Sequence, residues 1–324
     1  MTIHADDFLV ATNKANFEWL VAELSKYFSI KYQQATLCLD MKIEKTLNGY
    51  VFGQQHYLEA MLIEFGMQDC KPSSTPLTKG EVNALVIGDL KEAKTLNQTN
   101  HNLYRQIVGK LMYTMVGSRP NIAHALGLLG RYASAPNSFH LSMAKRVLAY
   151  VKHTINYRLH YARGSDSDIP VLHGYVDSDY AHSEDRKSTT GFCYFYGKCL
   201  VVWCSKKQSI VATSTTVAEY IALYEATTEA VAQRITLRDL GVPQSTPTEI
   251  REDNQTAIKL ADDEAVHKRT KHIDVKYHYS KEQRELGNIK IVYVPTSENI
   301  ADMFTKQIQR DAFVGFCKQL GLYA

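Results

Sequence analysis

Val171-Leu172-His173-Gly174-Tyr175-Val176-Asp177 is the stretch that decides the fold. It is an apolar run of strand length, and it ends in a carboxylate. Two more strand-like runs follow, Gly191–Tyr196 and Leu200–Cys204. A long helical pattern then runs from about Thr216 to Leu240. After it come a strand at Thr248–Glu252, a helical stretch at Gln255–Ala261, a polar helix at Lys271–Leu286 and a strand at Ile289–Tyr293. Two helical stretches, Glu298–Thr305 and Asp311–Leu320, close the chain. Three consecutive strands followed by alternating helices and strands predict an α/β fold, a mixed sheet with helices on both faces.

Four acids lie where charge is awkward: Asp177, Glu219, Asp253 and Asp302. Asp177 ends its strand, where an Asp can equally start a turn. Glu219 shares a helix face with Ala222, Leu223, Ala226 and Ala230, although a solvated Glu belongs on the opposite face. Asp253 follows a strand and precedes a helix, the place of an N-cap. Asn254 is equally able to cap, which leaves Asp253 spare. Asp302 falls in a short helix capped by Ser297, where a solvated Asp is the ordinary reading. Acids from four elements repel one another on converging unless cations sit among them. Hard oxygen donors of this kind suit Mg²⁺ or Mn²⁺. Two such ions about 3.5–4 Å apart activate water and stabilise the leaving oxygen in phosphodiester cleavage.

Composition narrows the class. The 324 residues suffice for two domains, and 45% hydrophobic with 22% charged residues is globular usage. No apolar run reaches membrane-span length, and the first residues do not make a signal peptide. The six cysteines have no CxxC pair and no zinc-knuckle spacing, so reduced structural thiols in an intracellular compartment are expected. A net charge of +3 and a pI near 8.4 permit nucleic-acid binding without demanding it.

Upstream, Ile3–Ala5 and Phe8–Ala11 flank Asp6-Asp7 and predict a tight hairpin with the acids at its turn. Ala15–Phe28 is helical by period. Thr36–Ile43 and Gly49–Phe52 read as strands joined at Asn48-Gly49. Tyr57–Phe65 is a helix, and Pro72-Ser73-Ser74-Thr75-Pro76 breaks regular structure. From there to about Asn100 a polar linker or loop is expected. Helices follow near Asn102–Val116, Asn121–Ala133 and Leu141–Val151.

Several short motifs in this chain resemble the ribonuclease H domain of copia-type LTR retrotransposon Pol polyproteins. They are Gly174-Tyr175-Val176-Asp177-Ser178-Asp179-Tyr180-Ala181, Trp203-Cys204-Ser205-Lys206-Lys207-Gln208 and Ser214-Thr215-Thr216-Val217-Ala218-Glu219-Tyr220. Asp253-Asn254-Gln255-Thr256-Ala257-Ile258, His267-Lys268-Arg269-Thr270-Lys271-His272-Ile273-Asp274 and Tyr293-Val294-Pro295-Thr296-Ser297-Glu298-Asn299-Ile300-Ala301-Asp302 are similar to the same domain. Val108-Gly109-Lys110-Leu111-Met112-Tyr113 and Ser118-Arg119-Pro120-Asn121-Ile122-Ala123 resemble the region between polymerase and ribonuclease H. The resemblance covers essentially the whole chain in order. It implies residues 1–80 as the C-terminal part of a reverse transcriptase palm, 81–165 as a linker and helical connection, and 166–324 as a ribonuclease H-like domain. It implies Asp177, Glu219, Asp253 and Asp302 as catalytic, metal-binding acids holding two Mg²⁺ or Mn²⁺ ions. Asp177 and Asp253 would hold metals, Glu219 would lie near the scissile phosphate, and Asp302 would serve the second metal. An integrase is the nearest structural confusion, but its zinc-binding His and Cys spacing is absent.

His4-Ala5-Asp6-Asp7 resembles the palm hairpin, which adds Asp6 and Asp7 as candidate polymerase metal ligands. The usual Tyr of that hairpin is His4 here. The chain starts at this hairpin, so the fingers and the first half of the palm are expected upstream and polymerase activity is not expected of this chain alone. The family usually has Asp where Asn121 stands and often Glu where Val217 stands. No histidine lies between Pro295 and Ile300 to aid product release.

The densest cationic run holds Lys268, Arg269, Lys271 and His272, and Lys206 and Lys207 can add to it. Such a run is either a solvated patch or a phosphate contact for an RNA–DNA hybrid. Discrimination of RNA would then rest on its 2′-hydroxyls. His272 is a weak candidate general base. Trp203 either stacks on a nucleotide or belongs to the core. The sequence therefore reads as a metal-dependent nuclease for RNA–DNA hybrids, part of a Pol protein working in the cytoplasm (in a virus-like particle) or the nucleus. The rival reading is a non-catalytic remnant that only binds nucleic acid.

Overall fold

The computed structural model describes residues 2–4, 7–87, 93–164, 170–262 and 274–324. A hairpin of β1 (Thr2–His4) and β2 (Asp7–Leu9) pairs Ile3 with Phe8. Asp7 opens β2 opposite His4, and Asp6 lies outside the described residues. Helix α1 (Lys14–Ser25) starts where Asn13 accepts the Asn16 N–H at 2.9 Å.

The next expected strand is two strands. β3 (Leu37–Cys38) and β4 (Met41–Thr46) are split by Leu39 and Asp40, both left-handed with φ of 49° and 55°. Two such residues make the tight hairpin turn whose twist matches the strands. Neither is Gly or Asn, so the turn carries no compositional mark. β5 (Gly49–Gly53) follows the Asn48-Gly49 turn. Gly49 has φ 144°, and a Cβ there would lie 2.0 Å from the Tyr161 carbonyl oxygen, so only glycine fits.

Helix α2 (Gln55–Glu64) is followed by α3 (Lys79–Ile87), in a segment where the sequence predicts an irregular linker. Thr78 and Glu81 form a capping box: the Thr78 N–H donates to the Glu81 carboxylate at 2.7 Å, and the Glu81 N–H to the Thr78 hydroxyl at 3.4 Å. Val82, Leu85 and Val86 are buried. Burial of each such side chain contributes about 1.5–3 kcal/mol, which outweighs the polar surroundings that suggested a loop. The helices α4 (Gln98–Gly117), α5 (Ala123–Gly130) and α6 (Ser138–His153) then pack together, with a 3₁₀ turn, Pro120–Ile122, before α5. β6 (Arg158–Ala162) returns to pair with β5.

The second sheet carries the chemistry. β7 (Leu172–Asp179), β8 (Thr189–Tyr196) and β9 (Cys199–Lys207) form an antiparallel meander. Helix α7 (Thr215–Asp239) crosses back, so that β10 (Thr248–Glu252) joins β7 in parallel. Helices α8 (Gln255–Asp262) and α9 (Asp274–Glu285) precede β11 (Ile289–Tyr293), which extends the sheet in parallel. The order is β11-β10-β7-β8-β9. This mixed order, with one antiparallel meander and two parallel additions, is the ribonuclease H-like arrangement the sequence predicts.

Period-2 alternation buries both faces. Leu172, Val176, Phe192, Tyr194 and Ile250 pack against Ala218, Ile221, Ala222 and Ala226 of α7. Cys193 and Phe195 face the other way, into a core shared with the connection helices and with Met303 and Phe304. Helix α10 (Asp302–Thr305) lies on that second face. Helix α11 (Arg310–Gln319) and β12 (Leu322–Tyr323) follow, and β12 pairs with β6 to complete a sheet ordered β12-β6-β5-β4-β3.

Candidate metal centre

The carboxyl ends of β7 and β10 meet the first turns of α7. There Asp177, Glu219 and Asp253 each offer one oxygen, and these oxygens all lie within 4.8 Å of one another. Oxygens on opposite sides of one ion at about 2.1 Å would span about 4.2 Å, so this spacing needs little closure to hold one. Asp177 and Glu219 are buried, 2% and 7% exposed, and Glu219 Oε2 has no hydrogen-bond partner. A buried, unpartnered carboxylate oxygen aimed among other acids is costly without a cation. The donor chemistry therefore fits a hard divalent ion.

Each acid is placed by its element. Ser214 caps α7 by accepting the Val217 N–H at 3.2 Å, which puts Glu219 in the second turn with Ala222, Ala226 and Ala230 below it, all fully buried. Asn254 caps α8, its Oδ1 accepting the N–H groups of Thr256 and Ala257 at 3.0 Å. Asp253 is left over for the centre, as its position in sequence suggests. Asp177 is braced by the Thr305 hydroxyl, which donates to its Oδ2.

Asp302 stands apart from the trio. Its Oδ1 lies 2.8 Å from Lys306 Nζ, and the same ammonium is 3.8 Å from Asp177 Oδ1. The sequence predicts Ser297 as the cap of the helix of Asp302, and the structure does not bear this out. A 3₁₀ turn spans Thr296–Glu298, and α10 begins at Asp302 itself with no side-chain cap. Asn299 does the local work. It is fully buried, its amide donates to the Val176 carbonyl at 2.8 Å, and its Oδ1 accepts the Ala301 N–H at 3.1 Å. The loop is thereby tied to β7 one residue before Asp177.

A further acid escapes the sequence reading. Glu252 is fully buried, its Oε1 accepts the Asn254 N–H at 2.9 Å, and its Oε2 is unpartnered. The strand period marks it: Thr248, Ile250 and Glu252 share the face of β10 that meets α7. Burial, and then the Glu252 carboxylate, push Glu219 well above the usual carboxyl range. Glu252 is raised likewise, by burial first, against the Asn254 N–H that favours its charge. Burial raises Asp177 although Lys306 and Thr305 oppose the shift, and burial with Asp177 nearby lifts Asp302 to about 7.

The other sequence-predicted residues are placed less fully. Lys268, Arg269, Lys271, His272 and Asp6 lie outside the described residues, and the Asp7 side chain is likewise not described. Lys206 and Lys207 end β9 opposite Thr190 and Thr189, while Asp177 lies opposite Gly191, so the lysines share the carboxylate end of the sheet. Lys207 is paired with Asp185 at 2.6 Å, and Lys206 is exposed. Trp203 packs against the core, and its indole N–H donates to the Met115 carbonyl at 3.2 Å, which favours the core reading.

Strand order and convergent acids define a ribonuclease H-like α/β unit joined to a helical connection. By sequence, the chain belongs to the copia-type retrotransposon Pol family. It is 38% identical over 333 residues to the retrovirus-related Pol polyprotein from transposon TNT 1-94 of Nicotiana tabacum, covering 99% of this chain and 24% of that protein. It is 30% identical to the Pol polyprotein from transposon RE1 of Arabidopsis thaliana, covering 99% of this chain and 21% of that protein. The chain thus spans less than a quarter of the length of these relatives. No family model matches. Among solved structures, LC11-RNase H1 in complex with an RNA/DNA hybrid matches 41% of this chain and 93% of its own at 19% identity, with a TM-score of 0.33. The foamy viral protease-reverse transcriptase in complex with dsDNA matches 68% of this chain and 42% of its own at 16% identity, with a TM-score of 0.38. Those scores are low, and the fold stands on its own strand order.

Proposed function

We propose that this chain cleaves the RNA strand of RNA–DNA hybrids by metal-assisted hydrolysis. The observation that carries the reading is the trio Asp177, Glu219 and Asp253, with its oxygens within 4.8 Å of one another and Glu219 Oε2 buried without a partner. Asp177, Glu219 and Asp253 would hold one Mg²⁺ or Mn²⁺ ion, and Asp177 with Asp302 a second. Bound there, such cations supply an activated water and charge stabilisation at the leaving oxygen. Thr305 fixes the rotamer of Asp177 through its hydroxyl. Asn299 fixes the loop that delivers Asp302. Lys206, together with Lys268, Arg269 and Lys271, would track the hybrid's phosphates without reading its sequence. In this reading residues 1–80 are part of a reverse transcriptase palm, with Asp6 and Asp7 as its hairpin acids, and the remainder of a Pol polyprotein is their partner.

The test is strand-specific. Purified chain is mixed with an RNA–DNA hybrid labelled on either strand, with Mg²⁺ or with EDTA. Cleavage of the RNA strand alone, abolished by EDTA and by Asp177→Asn, is the expected result. Hybrid binding without cleavage under any divalent ion would support the remnant reading instead.

A further inference from the structure

Lys306 is the one basic side chain within ion-pair reach of Asp177 or Asp302 among the described residues. It follows directly on α10, in extended backbone with φ −139° and ψ 164°, and its N–H donates to the Asp302 carbonyl at 3.0 Å. Its ammonium lies 2.8 Å from Asp302 Oδ1 and 3.8 Å from Asp177 Oδ1. Both acids are nearly covered, whereas the Lys306 side chain is 38% exposed, so the ammonium reaches between them from the solvent side. Asp302 is also the acid that does not join the oxygens of Asp177, Glu219 and Asp253. The centre thus has two halves that share Asp177: the gathered oxygens of Asp177, Glu219 and Asp253, and the Asp177–Asp302 pair bridged by the Lys306 ammonium.

We propose that Lys306 is a tethered cation that keeps the Asp177–Asp302 half of the centre closed to divalent ions. The chain takes one divalent ion firmly at Asp177, Glu219 and Asp253. A second enters between Asp177 and Asp302 only when the ammonium swings out. An ammonium and a divalent cation between the same two carboxylates repel each other at a few ångströms, where burial weakens screening. The swing costs little backbone strain, because Lys306 already lies outside the helix and its side chain is part exposed. Asp177 stays in place throughout, since Thr305 holds its other oxygen. This inference rests on the proposed metal centre and assigns the order in which its two halves fill.

Mn²⁺ binding to the full chain, read by the electron paramagnetic resonance of free Mn²⁺, tests it without recourse to activity. The wild type should bind one ion tightly and a second much more weakly. Lys306→Met should tighten the second ion by roughly tenfold or more and leave the first nearly unchanged. Lys306→Arg, which keeps the charge, should behave as wild type. In EDTA, Lys306→Met should melt at a lower temperature than wild type, with the loss recovered at saturating Mn²⁺. Should the Met variant not fold in EDTA, Lys306→Gln purified with Mn²⁺ present gives the same comparison. Identical isotherms for wild type and the charge-removing variants would overturn the role of Lys306 while leaving the metal centre intact. No Mn²⁺ binding by any form would remove the metal centre, and this inference with it.

Discussion

Gly191 sits directly opposite Asp177 in the β7–β8 ladder, and a Cβ on it would lie 2.6 Å from the Thr305 methyl and 2.9 Å from Phe304 Cβ. The missing side chain is what lets α10 lie on the sheet. That contact brings Thr305, Asp302 and Lys306 to Asp177. Gly191→Ala should therefore push α10 outward. A cost of about 1–3 kcal/mol in stability is expected from overpacking, together with loss of RNA-strand cleavage. Wild-type melting and wild-type cleavage in this variant would show that α10 is not positioned by this contact.

Glu219→Gln separates charge from shape. The carboxylate is pushed up by burial and by Glu252, and its Oε2 is unpartnered. Removing the charge should abolish cleavage and Mn²⁺ binding at the first site. In EDTA the melting temperature should stay equal or rise, because a repelling group has gone. A variant that unfolds would mark Glu219 as a scaffold residue.

How these groups were legible differs by residue. Asp177, Glu219 and Asp253 stand out in sequence because each breaks a local pattern: a charge at the end of an apolar strand, on an alanine face, or beside an equally able cap. Asp302 is legible as an acid, but its bond to Lys306 is not, since two residues four apart across a helix end look like any surface pair. Glu252 hides beside Asp253, although strand alternation places it inward. Asn299 has no sequence mark, because its work is to bind a β7 carbonyl 123 positions earlier in the chain. That the second sheet is mixed follows from three consecutive strands and then alternating helix and strand periods, whereas its strand order is set by tertiary pairing. The two-residue strands β3 and β12 carry no period at all, and α3 is nine residues long and buried by tertiary contacts.

The basic residues should separate by salt. Lys206 is exposed at the carboxylate end of the sheet, whereas Lys207 already pairs with Asp185. Lys206→Ala should weaken hybrid binding at every sequence and reduce the log-affinity against log-salt slope by about 0.7–0.9. Changing Lys268, Arg269 and Lys271 together to Ala should reduce it by up to about 2.7. Unchanged slopes in fluorescence titrations would return these side chains to solvated surface.

The family resemblance implies Asp where Asn121 stands, and its neighbour makes the substitution informative. Arg119 is fully buried, donating to Asn121 Oδ1 at 3.2 Å and to the Thr154 carbonyl at 3.1 Å, with the Tyr150 and Tyr157 rings each 5.8 Å away. None of these partners is a carboxylate. Asn121→Asp would give the buried guanidinium a counter-charge, and the Tyr150 hydroxyl, which now accepts from Asn121 at 2.5 Å, can turn to donate. A gain of about 1–3 kcal/mol in a denaturant melt is expected, since a buried charge left without its partner is what costs most. A loss of stability would show that the aromatic and carbonyl contacts already satisfy Arg119.

The metal-free centre should also make stability depend on pH in a direction opposite to ordinary acid denaturation. Asp302 is lifted to about 7 from an ordinary 3.8, and Asp177, Glu219 and Glu252 are raised too, all chiefly by burial. An acid whose folded pKa exceeds its unfolded one holds its proton better in the folded chain. Its stabilisation is complete below the unfolded pKa and is lost as pH climbs through the folded one. For Asp302 that window runs from about pH 4 to about pH 7, and the slope is at most about 1.4 kcal/mol per pH unit for each group titrating. Glu44 and Glu249, held low by their lysine and arginine partners, work in the opposite sense only below the ordinary glutamate value of 4.5. His124, His140, His160 and His173, kept neutral by burial, oppose this up to the ordinary histidine value of 6.5, so in EDTA the melting temperature should fall between about pH 6.5 and pH 8. Saturating Mg²⁺ favours the ionised acids, so the same rise in pH should leave the melting temperature level or raise it. A melting temperature in EDTA that climbs over this range would mean that the four acids ionise without strain, and that the centre is not the crowded, cation-demanding site described above.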